Sequence, residues 1–243
     1  MNSTAISPRA AAFIESVLNL QPKVAVFDCD GTLWAGDAGE GFYHWELTRG
    51  LLSEEIARRA RQRYADYRAG KVDEATMCGE MVTIHRGLNE VEVQKVAAEY
   101  FEQHFVQQIF SEMRVLVDRL RDSGTDVWAV SSSNIWLIRA GMKHCGIPQD
   151  RILATTANVE NGIVTDRLIR IPTGAGKIKA IQDVIRTTPD VAFGNSRWDA
   201  EMLKFSKYAF AVNPNPDLEK AAREHGWIVY WPDGKAKESG ITS

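Results

Sequence analysis

Along the chain, short and almost wholly apolar runs alternate with longer amphipathic stretches. Val24–Phe27 (VAVF) is apolar throughout, and 126–130 (DVWAV), Val191–Gly194 and Tyr208–Val212 follow the same habit. Runs of four or five residues without polar alternation predict strands buried on both faces, as in a parallel sheet. Two shorter candidates lie at 151–154 and 227–231. The stretch 158–168 predicts a β-hairpin, because Asn161-Gly162 at its centre suits the positive φ of a tight turn. Between the runs, helical periodicity predicts helices over 111–124, Ile135–Cys145, 177–186, 199–204 and 217–225. An N-terminal helix opens at Ser7-Pro8, a capping serine followed by proline at the first helical position. Strands alternating with helices predict an α/β fold with a doubly wound parallel sheet, helices on both faces.

One segment breaks the alternation. From about residue 39 to 107 there is no clear strand, and 53–69 and 90–101 are strongly helical, with Ser53 placed to cap the first. The expected organisation is an α/β core built from residues 1–38 and 108–243, with a helical cap domain at 39–107. Composition does not disturb this picture: 243 residues, 44% hydrophobic and 25% charged, fit an ordinary globular chain. A net charge of −3 with both signs interspersed gives no basic field for nucleic acid or an anionic membrane. Three dispersed cysteines argue against a disulfide framework and for a reducing compartment. With no apolar run near the ~20 residues of a membrane span, the expectation is a soluble cytoplasmic protein.

Chemistry enters at the carboxyl ends of the strands, where open α/β sheets bind ligands. Asp28 and Asp30 follow the first strand, Ser131 to Asn134 follow the second, and Asn195 to Asp199 follow the fourth core strand. Lys177, in Gly174-Ala175-Gly176-Lys177, opens the helix before that strand. Two carboxylates so close repel unless a cation lies between them, and Mg²⁺ suits a site of oxygen ligands. An aspartate can attack phosphorus, a second can act as acid and base, and hydroxyl, amide and lysine groups can hold phosphoryl oxygens. The combination points to phosphoryl transfer. The scattered histidines have no zinc-like spacing.

In order, DCDGT, VSSSN, GKIKAI and GNSRWD resemble the four motifs of the haloacid dehalogenase (HAD) superfamily, and AFAVNPNPDLEKAAREHGW resembles its tail. The likeness covers roughly residues 20–38 and 108–231, and the helical insertion resembles the cap of the phosphoserine phosphatase-like subclass. The resemblance implies a HAD-like Rossmannoid three-layer core and a Mg²⁺-dependent phosphatase acting on a small phosphomonoester through an aspartyl-phosphate. It makes Asp28 the nucleophile and Asp30 the general acid/base. Both would serve the metal, Asp30 through its carbonyl, along with Asn195 and Asp199. Gly31, Thr32, Ser131, Ser132 and Lys177 are the implied phosphate-binding residues. Asp30 favours phosphatase over dehalogenase chemistry, since the dehalogenases of the superfamily lack that second aspartate.

The fourth motif departs from the pattern. Such phosphatases carry Gly-Asp there, and this chain has Gly194-Asn195, which keeps an oxygen but loses a charge. Weaker metal binding, compensation by Asp199 through a water, and a degenerate phosphate-binding pseudo-phosphatase all stay open. For substrate choice, Asp37 sits where phosphoserine phosphatases carry an acid for the substrate amine, with Glu40 close by. Their cap arginine aligns with Met81, leaving Arg58, Arg63, Arg68 and Arg86 as possible replacements. An acidic rim suits an amine or quaternary ammonium, and DAGEGFYHWELTRGLL resembles the corresponding loop of bacterial phosphorylcholine phosphatases. The alternatives are a phosphorylcholine- or phosphoethanolamine-type phosphatase, a phosphotransferase, or acids that only cap the linker and face water.

Overall fold

In a computed structural model describing residues 6–233, ten helices and seven strands form a three-layer α/β arrangement. The outer limits expected for the core, residues 1 and 243, lie outside the described residues. The strands are β1 (Val24–Phe27), β2 (Asp126–Asn134), β3 (Ile152–Glu160), β4 (Ile163–Arg170), β5 (Val191–Gly194), β6 (Tyr208–Val212) and β7 (Ile228–Tyr230). They form one sheet in the order β4-β3-β2-β1-β5-β6-β7, parallel throughout except for the antiparallel edge pair β3/β4. The chain leaves β1 for β2 on one side and returns to pair β5 on the other. The topological switch point therefore lies at β1/β5, where open α/β sheets place their ligands.

Side-chain alternation along the strands sorts the two faces. Ala25, Phe27, Val127, Ala129, Val191, Phe193 and Phe210 join one core cluster. There they meet helices α1 (Pro8–Leu18), α5 (Glu90–His104), α6 (Ser111–Asp122) and α7 (Ile135–Cys145). Val26, Trp128, Val130, Ala192, Ala209 and Ala211 join the opposite cluster, under α8 (Ala175–Val184), α9 (Ala200–Phe205) and α10 (Pro216–His225). Strand residues one apart thus face opposite layers, as the pleat requires. Phe27 and Phe193 stack at 4.2 Å beneath the switch point, and Phe193 stacks on Phe210 at 4.9 Å.

Several local expectations hold. Ser7 caps α1 and accepts from the Ala10 amide, with Pro8 at the first helical position. Ser53 caps α3 (Glu54–Arg68). The short third strand and the first arm of the hairpin are instead one continuous strand, β3, whose outer half pairs with β4. Likewise β2 stays extended through Asn134, beyond the expected end at residue 130.

The 39–107 segment holds four helices, with α2 (Ala38–Glu46) and α4 (Glu74–Thr83) added to the two legible in the sequence. Both contain glycine inside the helix, which weakens the sequence signal. Tyr43, Leu47, Leu52, Ala57, Ala60, Val72 and Met77 form a small core of their own. Val93, Ala97, Tyr100 and Phe101 of α5 belong to the main core. Hairpin β3/β4 also touches this segment: Arg86 pairs with Asp166 at 2.9 Å, and the Gly87 amide donates to the Val164 carbonyl at 2.8 Å.

Candidate active site

Strand β1 delivers Asp28 to the sheet edge, where its amide donates to the Phe193 carbonyl at 2.9 Å and continues the β1/β5 ladder. The side chain is nearly sealed. Its Oδ1 accepts from Lys177 Nζ at 2.7 Å and its Oδ2 from Thr32 Oγ1 at 3.0 Å. Lys177 is fully buried at the start of α8, and its ammonium also donates to the Val130 carbonyl at 2.8 Å and to Asp199 Oδ1 at 2.5 Å. Its three donors are all satisfied. Burial opposes the charge on Lys177, but Asp199 and then Asp28 outweigh it and hold the ammonium protonated well above its ordinary range. Asp28 is pushed up to about 7, chiefly by burial and then by Asp199, against the pull of Lys177.

Asp199, also buried, gives its second oxygen to the amides of Asn195 at 3.0 Å and Ser196 at 2.9 Å. It thereby closes a capping box with Ser196 around the turn after β5. Both of its oxygens are engaged, one with the lysine and one with the turn. Thr32, with no exposed surface, directs its hydroxyl at Asp28.

Asp30 accepts three hydrogen bonds. Trp34 Nε1 donates to Oδ1 at 2.8 Å, the Ala38 amide at the start of α2 donates to the same oxygen at 2.6 Å, and Ser133 Oγ donates to Oδ2 at 2.6 Å. Burial nevertheless outweighs these bonds and raises its carboxyl above the ordinary range. The glycine turn that follows has a steric reason. Gly31 adopts φ +73°, and a Cβ there would come within 1.8 Å of Asn195 Nδ2. Asn195 thus packs directly on the loop carrying the two aspartates, and its carbonyl accepts from the Asn215 amide at 2.8 Å.

In the outer half of β2, Ser131 is buried and its Oγ accepts from the Ser133 amide at 3.1 Å. The Ser132 carbonyl accepts from Thr155 Oγ1 at 2.6 Å. Asn134 caps α7 through the Trp136 and Leu137 amides. Ser133 and Trp34, the direct partners of Asp30, are site residues that the motifs do not mark. The signal for Ser133 is the third serine of VSSSN, but its contact depends on β2 remaining extended.

A recess of about 70 Å³ adjoins this centre, walled by Ser132, Ser133 and Asn134 on the sheet side. Asp37, Glu40, Glu46 and Glu74 line it, with Tyr43, Tyr64, Tyr67, Met77 and Met81, and among the described residues no arginine or lysine does. Asp37, exposed at its mouth, caps α2 by accepting from the Glu40 amide at 2.8 Å. Surrounding protein atoms and nearby Asp30 hold its carboxyl above the ordinary range. Helix α2 can lie this close because residue 39 is glycine: a Cβ there would meet Ser133 Oγ at 2.3 Å. Of the possible replacements for the cap arginine, Arg63 forms a bidentate pair with Glu80 and Arg86 pairs with Asp166; neither they nor Arg58 and Arg68 line the recess. Trp34 is buried, and Trp45 packs on Tyr100 with Arg49 over its ring.

The family model for haloacid dehalogenase-like hydrolases matches residues 25–204, from β1 through α9. The chain belongs to that family. A histidinol-phosphatase of Neisseria meningitidis is 25% identical over 218 residues, covering 85% of this chain and 97% of that protein. A phosphoserine phosphatase of Mycobacterium tuberculosis is 26% identical over 217 residues, covering 84% of this chain and 69% of its own length. Among solved structures, a protein of unknown function from Bordetella pertussis shares the fold with a TM-score of 0.71 at 20% identity, covering 85% and 97% of the two chains. Among the described residues, no helix is long and apolar enough to cross a membrane.

Proposed function

We propose that this hydrolase is a Mg²⁺-dependent phosphomonoesterase that cleaves a small phosphorylated metabolite through an aspartyl-phosphate at Asp28. One observation carries the reading: Asp28 is fixed between Lys177 and Thr32 while Asp30, on the same turn, is fixed by Ser133, Trp34 and the first amide of α2. The two phosphatase-named relatives support the phosphatase part of it.

In this mechanism an oxygen of Asp28 forms a bond to phosphorus as the bond from phosphorus to the substrate oxygen breaks. Asp30, whose raised affinity for a proton suits an acid, protonates the departing oxygen. It then takes a proton from the water that attacks phosphorus, releasing inorganic phosphate and restoring Asp28. Ser131 and the amides of its loop receive phosphoryl oxygens. Lys177 and Thr32 orient Asp28, and Asp199 holds Lys177.

The donors suit a hard cation. Asp28, Asp30 and Asp199 set three acids against one buried ammonium, so the site carries excess negative charge. Among the described residues, no three His, Cys, Asp or Glu side chains gather as ligands. The Asp28 carboxylate, the Asp30 carbonyl and the Asn195 amide oxygen would hold the ion, with Asp199 beside them. When bound, Mg²⁺ neutralises the carboxylates against the incoming phosphate and polarises its oxygens.

The excess of acids over bases in the recess supports a cationic leaving group, with Asp37 and Glu40 at its rim and Met81 in its wall. A screen of phosphorylated metabolites with and without Mg²⁺ tests the reading, with Asp28→Asn as the control. Turnover should require the cation and fall by about 10⁴ or more in the variant, the order seen when a hydrolase nucleophile is removed. Undiminished turnover by Asp28→Asn would sink the assignment.

A further inference from the structure

Glu46, the last residue of α2, lines the recess yet has only 1% of its surface exposed. Its Oε2 meets His85 Nε2 at 2.7 Å, and His85 has no exposed surface. The other ring nitrogen of His85 lies 2.9 Å from the Val82 carbonyl, which can only accept, so Nδ1 carries a hydrogen. The His85–Glu46 contact consequently holds a single proton between Nε2 and Oε2. Wherever that proton sits, the remaining oxygen, Oε1, can accept a hydrogen bond, and it has no partner among the described residues.

The neighbouring acids differ. Glu40 accepts from the Tyr64 hydroxyl and Glu74 from the Tyr67 hydroxyl. Asp37 caps α2 and faces solvent at the mouth. The Tyr43 hydroxyl donates to the Ala60 carbonyl at 2.8 Å. Among the acids lining the recess, Glu46 is therefore the one with a dry oxygen and no donor among the described residues, at the end of a helix whose dipole also favours a cation. A buried acceptor without a donor is costly, and a donor supplied by the substrate would remove that cost. The recess, at about 70 Å³, has room for water-sized groups and so for an ammonium head.

We propose that the recess receives the leaving group of the substrate and that Glu46 Oε1 accepts an N–H from a protonated primary amine on it, with His85 as the positioning residue for Glu46. This deepens the phosphatase reading and rests on it. It also separates two chemistries that an acidic rim alone leaves together. A quaternary ammonium has no N–H to give Oε1.

The test compares three phosphonates on the wild-type protein by calorimetry with Mg²⁺ present: 2-aminoethylphosphonate, its trimethylammonium analogue and propylphosphonate. The first should bind at least roughly tenfold tighter than either of the others, the scale of one hydrogen bond to a charged group. Glu46→Gln keeps an oxygen for His85 and turns an NH₂ toward the recess, so it should abolish that preference while leaving propylphosphonate affinity unchanged. His85→Gln should weaken the preference for 2-aminoethylphosphonate over propylphosphonate, and an unchanged preference would remove His85 from the positioning role. Equal affinity for the three ligands, a preference for the trimethylammonium compound, or no binding of any of them overturns the proposal. Should Glu46→Gln fail to fold, the wild-type ranking still decides. Absence of p-nitrophenyl phosphate turnover by the wild type would count against the phosphatase reading, while the phosphonate ranking would still judge the recess.

Discussion

Replacing Lys177 by methionine keeps the length of the side chain and removes its charge. The magnitude of the effect follows from three bonds: 2.7 Å to Asp28, 2.5 Å to Asp199 and 2.8 Å to the Val130 carbonyl. The Lys177 and Asp199 side chains are each about 1% exposed and Asp28 9%, so water cannot replace the ammonium. Removing one partner of such a buried pair costs about 3–5 kcal/mol. For a chain of this size, with a melting shift of about 2–4 °C per kcal/mol, that is roughly 6–20 °C. The loss should depend on pH with a definite sign. Asp28 already binds a proton more tightly folded than unfolded, so in the wild type its contribution falls as pH rises from the ordinary value of 3.8 through about 7. Without the lysine that window widens upward, because both carboxylates lose their counter-charge. Thermal melts of wild type and Lys177→Met at pH 5.5 and pH 8 should therefore diverge more at pH 8, and p-nitrophenyl phosphate turnover should fall with the disordered nucleophile. A melting temperature within about 2 °C of wild type at pH 8 would refute the idea that Lys177 balances this site.

Two further outcomes follow from the same geometry. Asp30→Asn keeps an oxygen for Trp34 and Ala38 and should leave the fold intact, yet slow alkyl phosphates by about 10²–10⁴ while slowing aryl phosphates less, since aryl leaving groups need little protonation; equal losses in stopped-flow phosphorylation would remove Asp30 from the acid role. Asn195→Asp adds a charge beside Gly31, so it should lower the Mg²⁺ concentration for half-maximal turnover and lower the melting temperature in EDTA; an unchanged Mg²⁺ dependence would show that residue 195 does not face the cation.

Sequence by itself determined the frame. Strands buried on both faces must be apolar in unbroken runs, so β1, β5 and β6 were legible to the residue, and capping residues at Ser7 and Ser53 marked helix starts because few side chains can satisfy free amides there. The parallel sheet then placed Asp28, Ser131 and Asn195 on one edge, since all parallel strands end on the same side. Tertiary structure decided what each side chain does there. Thr32 and Asp199 were expected at phosphate and metal, and their oxygens face Asp28, Lys177 and backbone amides; Lys177, which links the two acids, reaches Asp28 across 149 positions, which no local pattern encodes. Glu46 ends α2 and His85, 39 residues on, lies in the turn after α4, each an unremarkable polar residue in the sequence. Only packing of α2 against the segment that follows α4 removes both from water, and a charge acquires its meaning from the water it has lost.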